Sequence, residues 1–129
     1  MPKILIAEDE RDIRELVIYS LQFGGFTVVQ AVNGAEAVEQ AQKERPDLIL
    51  MDVRMPKMTG YEACRQVKSM PELHDVPVVF LSAKGQEGEI QSGLEAGAEE
   101  YILKPFAPDE LVKQVQAVLD RVAARRGVR

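Results

Sequence analysis

Residues 48–52 read Leu-Ile-Leu-Met-Asp. Four consecutive apolar side chains suit a strand covered on both faces, as in a parallel sheet. The acid that ends the run is costly to bury unless something compensates its charge. The pattern recurs on either side. Upstream, Ile4-Leu5-Ile6-Ala7 runs into Glu8-Asp9-Glu10, and downstream Val78-Val79-Phe80-Leu81 runs into Ser82-Ala83. Phe26–Ala31 carries the β-formers Thr27, Val28 and Val29, and Tyr101–Leu103 precedes Lys104-Pro105.

Helical spacing fills the intervals. Residues 10–23 place Ile13, Leu16, Val17 and Leu21 on one side, and Gly24-Gly25 ends that helix. Asn33 is the expected N-cap of a helix over Ala35–Glu44, which Pro46 closes. A loop with Pro56 and Gly60 leads to a helix from Tyr61 to Met70, and a weaker one is expected over 86–96. Pro108 with Asp109 and Glu110 opens a last helix with the stripe Leu111, Val112, Val115, Val118, Leu119 and Val122. Strict strand–helix alternation predicts an α/β, doubly wound fold: a parallel sheet with helices on both faces and right-handed crossovers.

The chain has 129 residues, enough for one domain and one core. It is 46 % hydrophobic and 29 % charged, as in an ordinary globular protein. The longest unbroken apolar runs, such as Val78–Leu81, fall far short of the roughly 20 residues of a membrane span. Met1-Pro2-Lys3 does not open a signal peptide. A single cysteine, Cys64, excludes an internal disulfide and a thiolate zinc cage, and fits a reducing, cytoplasmic setting. Net charge is −5. The last nine residues hold Arg121, Arg125, Arg126 and Arg129 and no acid, which leaves 12 bases against 21 acids in residues 1–120. An acidic body argues against direct nucleic-acid binding. The arginines are expected to complement a helix C-terminus and then fray into solvent.

In open parallel sheets, ligands bind at the carboxyl ends of the strands. Glu8, Asp9, Glu10, Asp52, Ser82 and Lys104 would share that rim. Singly, each has an ordinary reading as a solvated loop residue, a turn former or a surface cation. Together they require compensation. Clustered carboxylates without His or thiolate suit Mg²⁺ or Mn²⁺. The lone His74 lies in the loop before the fourth strand, away from the rim. A few carboxylates beside a lysine suit phosphoryl chemistry, with a carboxylate able to become an aspartyl phosphate.

These residues resemble the receiver domain of two-component response regulators. The resemblance rests on Glu8-Asp9, on Leu-Ile-Leu-Met-Asp52, and on Met55-Pro56 followed by Gly60. It continues through Val-Val-Phe-Leu-Ser82-Ala83, Gly93, Gly97-Ala98, Tyr101 and Lys104-Pro105-Phe106, and covers about residues 2–122. It implies a flavodoxin-like (βα)5 sandwich with strand order 2-1-3-4-5, a receiver over 1–122 and a basic C-terminal tail over 123–129.

The resemblance also implies roles. Asp52 accepts the phosphoryl group. Asp9, Asp52 and the backbone carbonyl of Arg54 ligate Mg²⁺ directly, and Glu8 acts through water. Lys104 pairs with the phosphoryl oxygens, Ser82 moves to bond them, and Tyr101 turns inward. The Lys104–Pro105 bond is expected to be cis. Arg54 and Lys84 stand where the family tunes phosphate loss. A sensor histidine kinase or phosphotransfer protein would supply the phosphate. The fourth helix, fifth strand and fifth helix would form the output face. The chain would be a switch assisting its own modification, not an enzyme, and either a stand-alone receiver or a piece of a longer regulator. Ala107, where an N-capping side chain would help the last helix, departs from the pattern at a cost of about 1 kcal/mol.

Two rivals share parts of this pattern. An FMN carrier needs a Ser/Thr/Gly-rich loop after the first strand, where this chain has Glu8-Asp-Glu-Arg-Asp12. A Mg²⁺-dependent phosphohydrolase of the haloacid dehalogenase type needs a second Asp two residues after its nucleophile. Arg54 stands there and cannot exchange a proton at neutral pH.

Overall fold

The computed structural model describes residues 1–83, 97–104 and 106–127. The helix expected over 86–96, Lys84, Pro105 with its expected cis bond, and the final two residues of the basic tail lie outside the described residues.

Five strands, β1 (Lys3–Ala7), β2 (Thr27–Ala31), β3 (Leu48–Asp52), β4 (Val78–Ala83) and β5 (Glu100–Lys104), form one sheet in the order β2-β1-β3-β4-β5. Every pairing is parallel, for example Ile4 with Leu48, Met51 with Phe80 and Ser82 with Leu103. The helices among the described residues are α1 (Arg11–Phe23), α2 (Gly34–Glu44), α3 (Gly60–Ser69) and α4 (Pro108–Gly127). The expected doubly wound topology is therefore present.

Strand periodicity divides the core into two layers. Leu5, Ala7, Ile49, Met51, Val78 and Phe80 pack with Ala37, Val38 and Ala41 of α2 and Ala63, Cys64 and Val67 of α3. Ile4, Ile6, Leu48, Leu50, Val79 and Leu81 pack with Val17 and Leu21 of α1 and Leu111, Val115, Val118 and Val122 of α4. The unbroken apolar strands thus feed both layers, which is why their hydrophobicity does not alternate.

Local chemistry sets the ends. After α1, the Phe26 N–H donates to Leu21 O and the Gly25 N–H to Gln22 O, with Gly25 at φ 94°. That double closure needs a left-handed residue, which glycine supplies. Asn33 caps α2 as expected, its side chain accepting from the Glu36 N–H at 2.8 Å. Thr59 caps α3 in the same way, accepting from Glu62 N–H at 3.2 Å, so α3 starts at Gly60.

Several boundaries differ from the sequence reading, most by a residue or two, and three of them bear on the site or the tail. Asp52 and Ser82 belong to their strands instead of following them, because the ladder continues through Asp52–Leu81, Ser82–Leu103 and Ala83–Lys104. The last helix does not fray after Val122 but runs to Gly127. Good helix formers continue it, and Arg121 and Arg125 reach Glu100 at 3.9 Å and Glu99 at 3.2 Å.

Two glycines allow close backbone approach beside β3. A Cβ at Gly60 would overlap the Asp52 carbonyl oxygen, and one at Gly34 would overlap the Met58 carbonyl. The loop after β3 is thereby clamped between two helix starts, with Gly60 N–H donating to Val53 O at 2.9 Å. Gly60→Ala is expected to lower stability by about 1–3 kcal/mol, as overpacking does. Urea unfolding measures this; an unchanged midpoint and slope would show that the clamp yields freely.

Candidate functional site

Ile4 and Ile6 of β1, Leu48 and Leu50 of β3 and Ile102 of β5 all face the α1–α4 layer. Glu8, Asp52 and Lys104 continue those parities at the carboxyl ends of the same strands, so strand geometry aims all three at one place. Lys104 Nζ donates to Glu8 Oε1 and to Asp52 Oδ1, each at 3.2 Å. Glu8 is 1 % exposed and Asp52 is buried, whereas Asp9 is exposed. One carboxylate oxygen each from Glu8, Asp9 and Asp52 lies within 4.8 Å of the others.

Backbone bonds support the arrangement. The Glu8 N–H donates to Ala31 O at 3.1 Å, and the Glu10 N–H donates to Glu8 Oε2 at 3.2 Å. Glu8 therefore has one carboxylate oxygen on an amide and the other on the lysine.

The charges do not balance: three carboxylates face one ammonium. Burial, then the neighbouring Asp52 charge, pushes the Glu8 carboxyl up to about 7, against the opposing pull of Lys104 and the Glu10 amide. Burial alone would lower the Lys104 ammonium, but the Asp52 and Glu8 charges and hydrogen bonds outweigh it and raise it. Lys104 is thus held cationic. The donor set, carboxylates without imidazole or thiolate, fits a hard divalent cation that would absorb the remaining negative charge. Among the described residues, no other group of three or more His, Cys, Asp or Glu side chains meets in this way.

Ser82 is buried, on the opposite parity from Asp52 and the same one as Phe80. Tyr101 is half-buried opposite Phe80 in the β4–β5 ladder, its ring 5.6 Å from Phe80, and the Tyr61 ring meets Phe80 edge-on at 5.3 Å. Ser82 and Tyr101 therefore belong to the α2–α3 side of the sheet, while Lys104 and the acids belong to the other. Arg54 lies exposed, two residues beyond Asp52, in the loop that Gly60 clamps. His74 is exposed in the turn before β4. Lys84 and Pro105 are outside the described residues. The sequence reading missed Thr59, Gly34 and Gly60 as supports of the loop after β3. Thr-Gly before an apolar-periodic run was a usable helix-start signal; nothing in the sequence marked Gly34 as a contact of Met58.

The family model for the response regulator receiver domain matches residues 4–116. The response regulator MprA of Mycobacterium ulcerans (strain Agy99) is 42 % identical over 119 residues, covering 92 % of this chain and 50 % of that protein. The chain thus spans about half the length of the curated relatives it matches. Among solved structures, a response regulator from Chloroflexus aurantiacus superposes with a TM-score of 0.89 at 35 % identity, covering 92 % of this chain and 98 % of that one. The receiver domain of the sensor histidine kinase PA1611 from Pseudomonas aeruginosa superposes with a TM-score of 0.82 at 32 % identity, covering 93 % and 95 %. That protein holds a magnesium ion in its active-site cleft.

The Glu8 environment sets a pH dependence. Its folded-state value, about 7, lies above the ordinary 4.5. A carboxyl raised in this way contributes stability that is complete below 4.5 and is lost as pH rises through about 7. A divalent cation favours the ionised form, so its stabilising effect should grow over the same interval. Melting curves with and without 10 mM Mg²⁺ (a concentration on the order of that needed for weak hard-cation sites) should separate more at pH 8 than at pH 6. A separation independent of pH would remove Glu8 from the site.

Proposed function

The chain belongs to the response regulator receiver family, and on that premise we propose that Asp52 accepts a phosphoryl group with the help of Mg²⁺ and Lys104. Receiver domains are signalling modules of two-component systems, not enzymes in the ordinary sense. One observation carries the reading: a single ammonium, 3.2 Å from both Glu8 and Asp52, at the carboxyl ends of β1, β3 and β5.

Glu8, Asp9, Asp52 and the Arg54 carbonyl would hold Mg²⁺, which when bound supplies positive charge for the phosphoryl oxygens and screens the acids from one another. An Asp52 carboxylate oxygen attacks the phosphorus of a phosphohistidine. A P–O bond forms as the P–N bond breaks, and the imidazole leaves with the electron pair and takes up a proton. Lys104, already cationic and at the acceptor, stabilises charge on the transferred group. Ser82 supplies a hydroxyl from the neighbouring strand end. Its engagement, with Tyr101 moving against Phe80, would bias the sheet's α2–α3 side between two arrangements.

The donor is a sensor histidine kinase or phosphotransfer protein. Among the described residues, the output surface is the face of β5 and α4; the helix expected over 86–96, which would complete it, lies outside them. Leu103, an exposed apolar residue on edge strand β5, belongs to it. No helix among the described residues is long and apolar enough to cross a membrane, and the reading puts the protein in the cytoplasm. The phosphohydrolase alternative has no support in the matched family, and Arg54 occupies the position where such an enzyme needs an acid–base Asp.

Acetyl phosphate with Mg²⁺ should add one acid-stable, base-labile phosphate to the protein, and Asp52→Asn should abolish it. Mass spectrometry reads this directly, and labelling that survives the substitution would overturn the assignment. Lys104→Ala should leave Mg²⁺ binding intact while blocking the conformational response, seen as loss of phosphate-dependent amide shifts in NMR spectra.

Arg54 and Lys84 follow Asp52 and Ser82 by two residues in the sequence, and neither long cation can act as a base for an attacking water. Lying over the phosphoryl oxygens, they would obstruct in-line approach. The phosphate should then last tens of minutes, and Arg54→Ala or Lys84→Ala should shorten it, as followed by decay after donor removal. Decay within seconds in the parent would discard the shielding role.

A further inference from the structure

Segment 8–10, which supplies two of the three clustered acids, is neither strand nor helix. Three successive carboxylates there repel one another; Lys104 and the Glu10 N–H hold the Glu8 carboxylate, and the backbone that carries Glu8 and Asp9 must itself be fixed for both to meet Asp52. One side chain reaches this segment from α1. Arg14 Nη1 donates to Glu8 O at 2.8 Å and to Asp9 O at 3.4 Å. Its Nε donates to Gln30 Oε1 on β2 at 3.2 Å, and its own N–H donates to Glu10 O at 2.9 Å. A single half-buried residue thus engages the carbonyls of all three acids.

We propose that Arg14, steadied by Gln30, is the positioning residue of the cation site: it fixes the Glu8–Asp9 backbone so that both carboxylates meet Asp52. The proposal rests on the receiver reading of the site. The guanidinium suits the task because its planar fork presents donors in fixed, divergent directions. One edge grips the loop while the other is braced against the sheet. Its charge lies on the carbonyl side of the segment and partly offsets the repulsion among the acids. Groups that orient ligands from outside the coordination sphere typically affect metal affinity about 10–100-fold.

Arg14→Met keeps the aliphatic stem and removes the donors. Isothermal titration with Mg²⁺ should give an affinity about 10–100-fold weaker than the parent. The Mg²⁺ concentration for half-maximal labelling by acetyl phosphate should rise in step, while the rate at saturating Mg²⁺ returns toward the parent value. Arg14→Lys keeps the charge without the fork and should restore only part of the affinity. Arg11→Met removes the same charge from the same end of α1, where Arg11 pairs with Glu15 at 3.1 Å, and should bind near the parent value. Gln30→Ala, a milder change, should weaken Mg²⁺ in the same direction and decides the matter if Arg14→Met does not fold. Unchanged affinity in Arg14→Met, an equal loss in Arg11→Met, or, where Arg14→Met is unfolded, unchanged affinity in Gln30→Ala would overturn the proposal alone. A parent that binds no Mg²⁺ would overturn the receiver reading together with it.

Discussion

Lys104 shares its ammonium between Glu8 and Asp52, each 3.2 Å away, and much of the sheet's carboxyl edge is organised around that contact. Two carboxylates at the ends of apolar strands could not stay in place without a cation, because an unpaired buried charge costs several kcal/mol. The lysine reaches them from a third strand, 52 residues from one acid and 96 from the other. The contact therefore exists only when β1, β3 and β5 are in register. It is also incomplete, since one positive charge meets three carboxylates. The shortfall explains both the raised Glu8 carboxyl and the site's fitness for a divalent cation and then a phosphoryl group.

The two-layer core makes such a site possible. Ile6, Leu50 and Ile102 are packed between the sheet and the α1–α4 layer, so the residues two positions further along each strand project in a common direction. The opposite parity leads through Phe80 to Ser82 and to Tyr101, on the side covered by α2 and α3. Charge handling and the aromatic cluster of Tyr61, Phe80 and Tyr101 are thus separated by the thickness of the sheet. Asp52 and Ser82, in adjacent strands, bring the two sides together at the rim.

Loops at this rim are held by backbone contacts more than by side-chain burial. Gly60 and Gly34 let two helix starts press on the segment after β3, and Lys57 within it adopts φ 69°, a conformation that costs a non-glycine residue about 1 kcal/mol or more. The segment after β1 is held by Arg14 instead. At the other end of β5, Glu100 meets Arg121 of α4. β5 thereby connects the lysine at the site to the helix that ends the described chain.

Local patterning in the sequence determined the number and order of elements. Unbroken apolar runs such as Leu48–Met51, bounded by loops and helical spacing, suit a sheet covered on both faces, and the stripe from Leu111 to Val122 has the spacing of one helix face. The acids and lysine at the strand ends were legible for the same reason, because a charge that interrupts such a run must lie at its end. What packing decided was finer. Asp52 and Ser82 are strand residues because neighbouring strands extend the ladder past them, which no single strand encodes. The helix through residues 123–127 continues on good helix formers, and Glu99, distant in sequence, meets its Arg125. Arg14 looks in the sequence like any polar residue on the outer side of α1. Glu8 and Asp9 lie only six and five residues before it, but their carbonyls and the Gln30 side chain come within reach of one guanidinium only when β2 pairs with β1, a partnership that spacing along the chain does not encode.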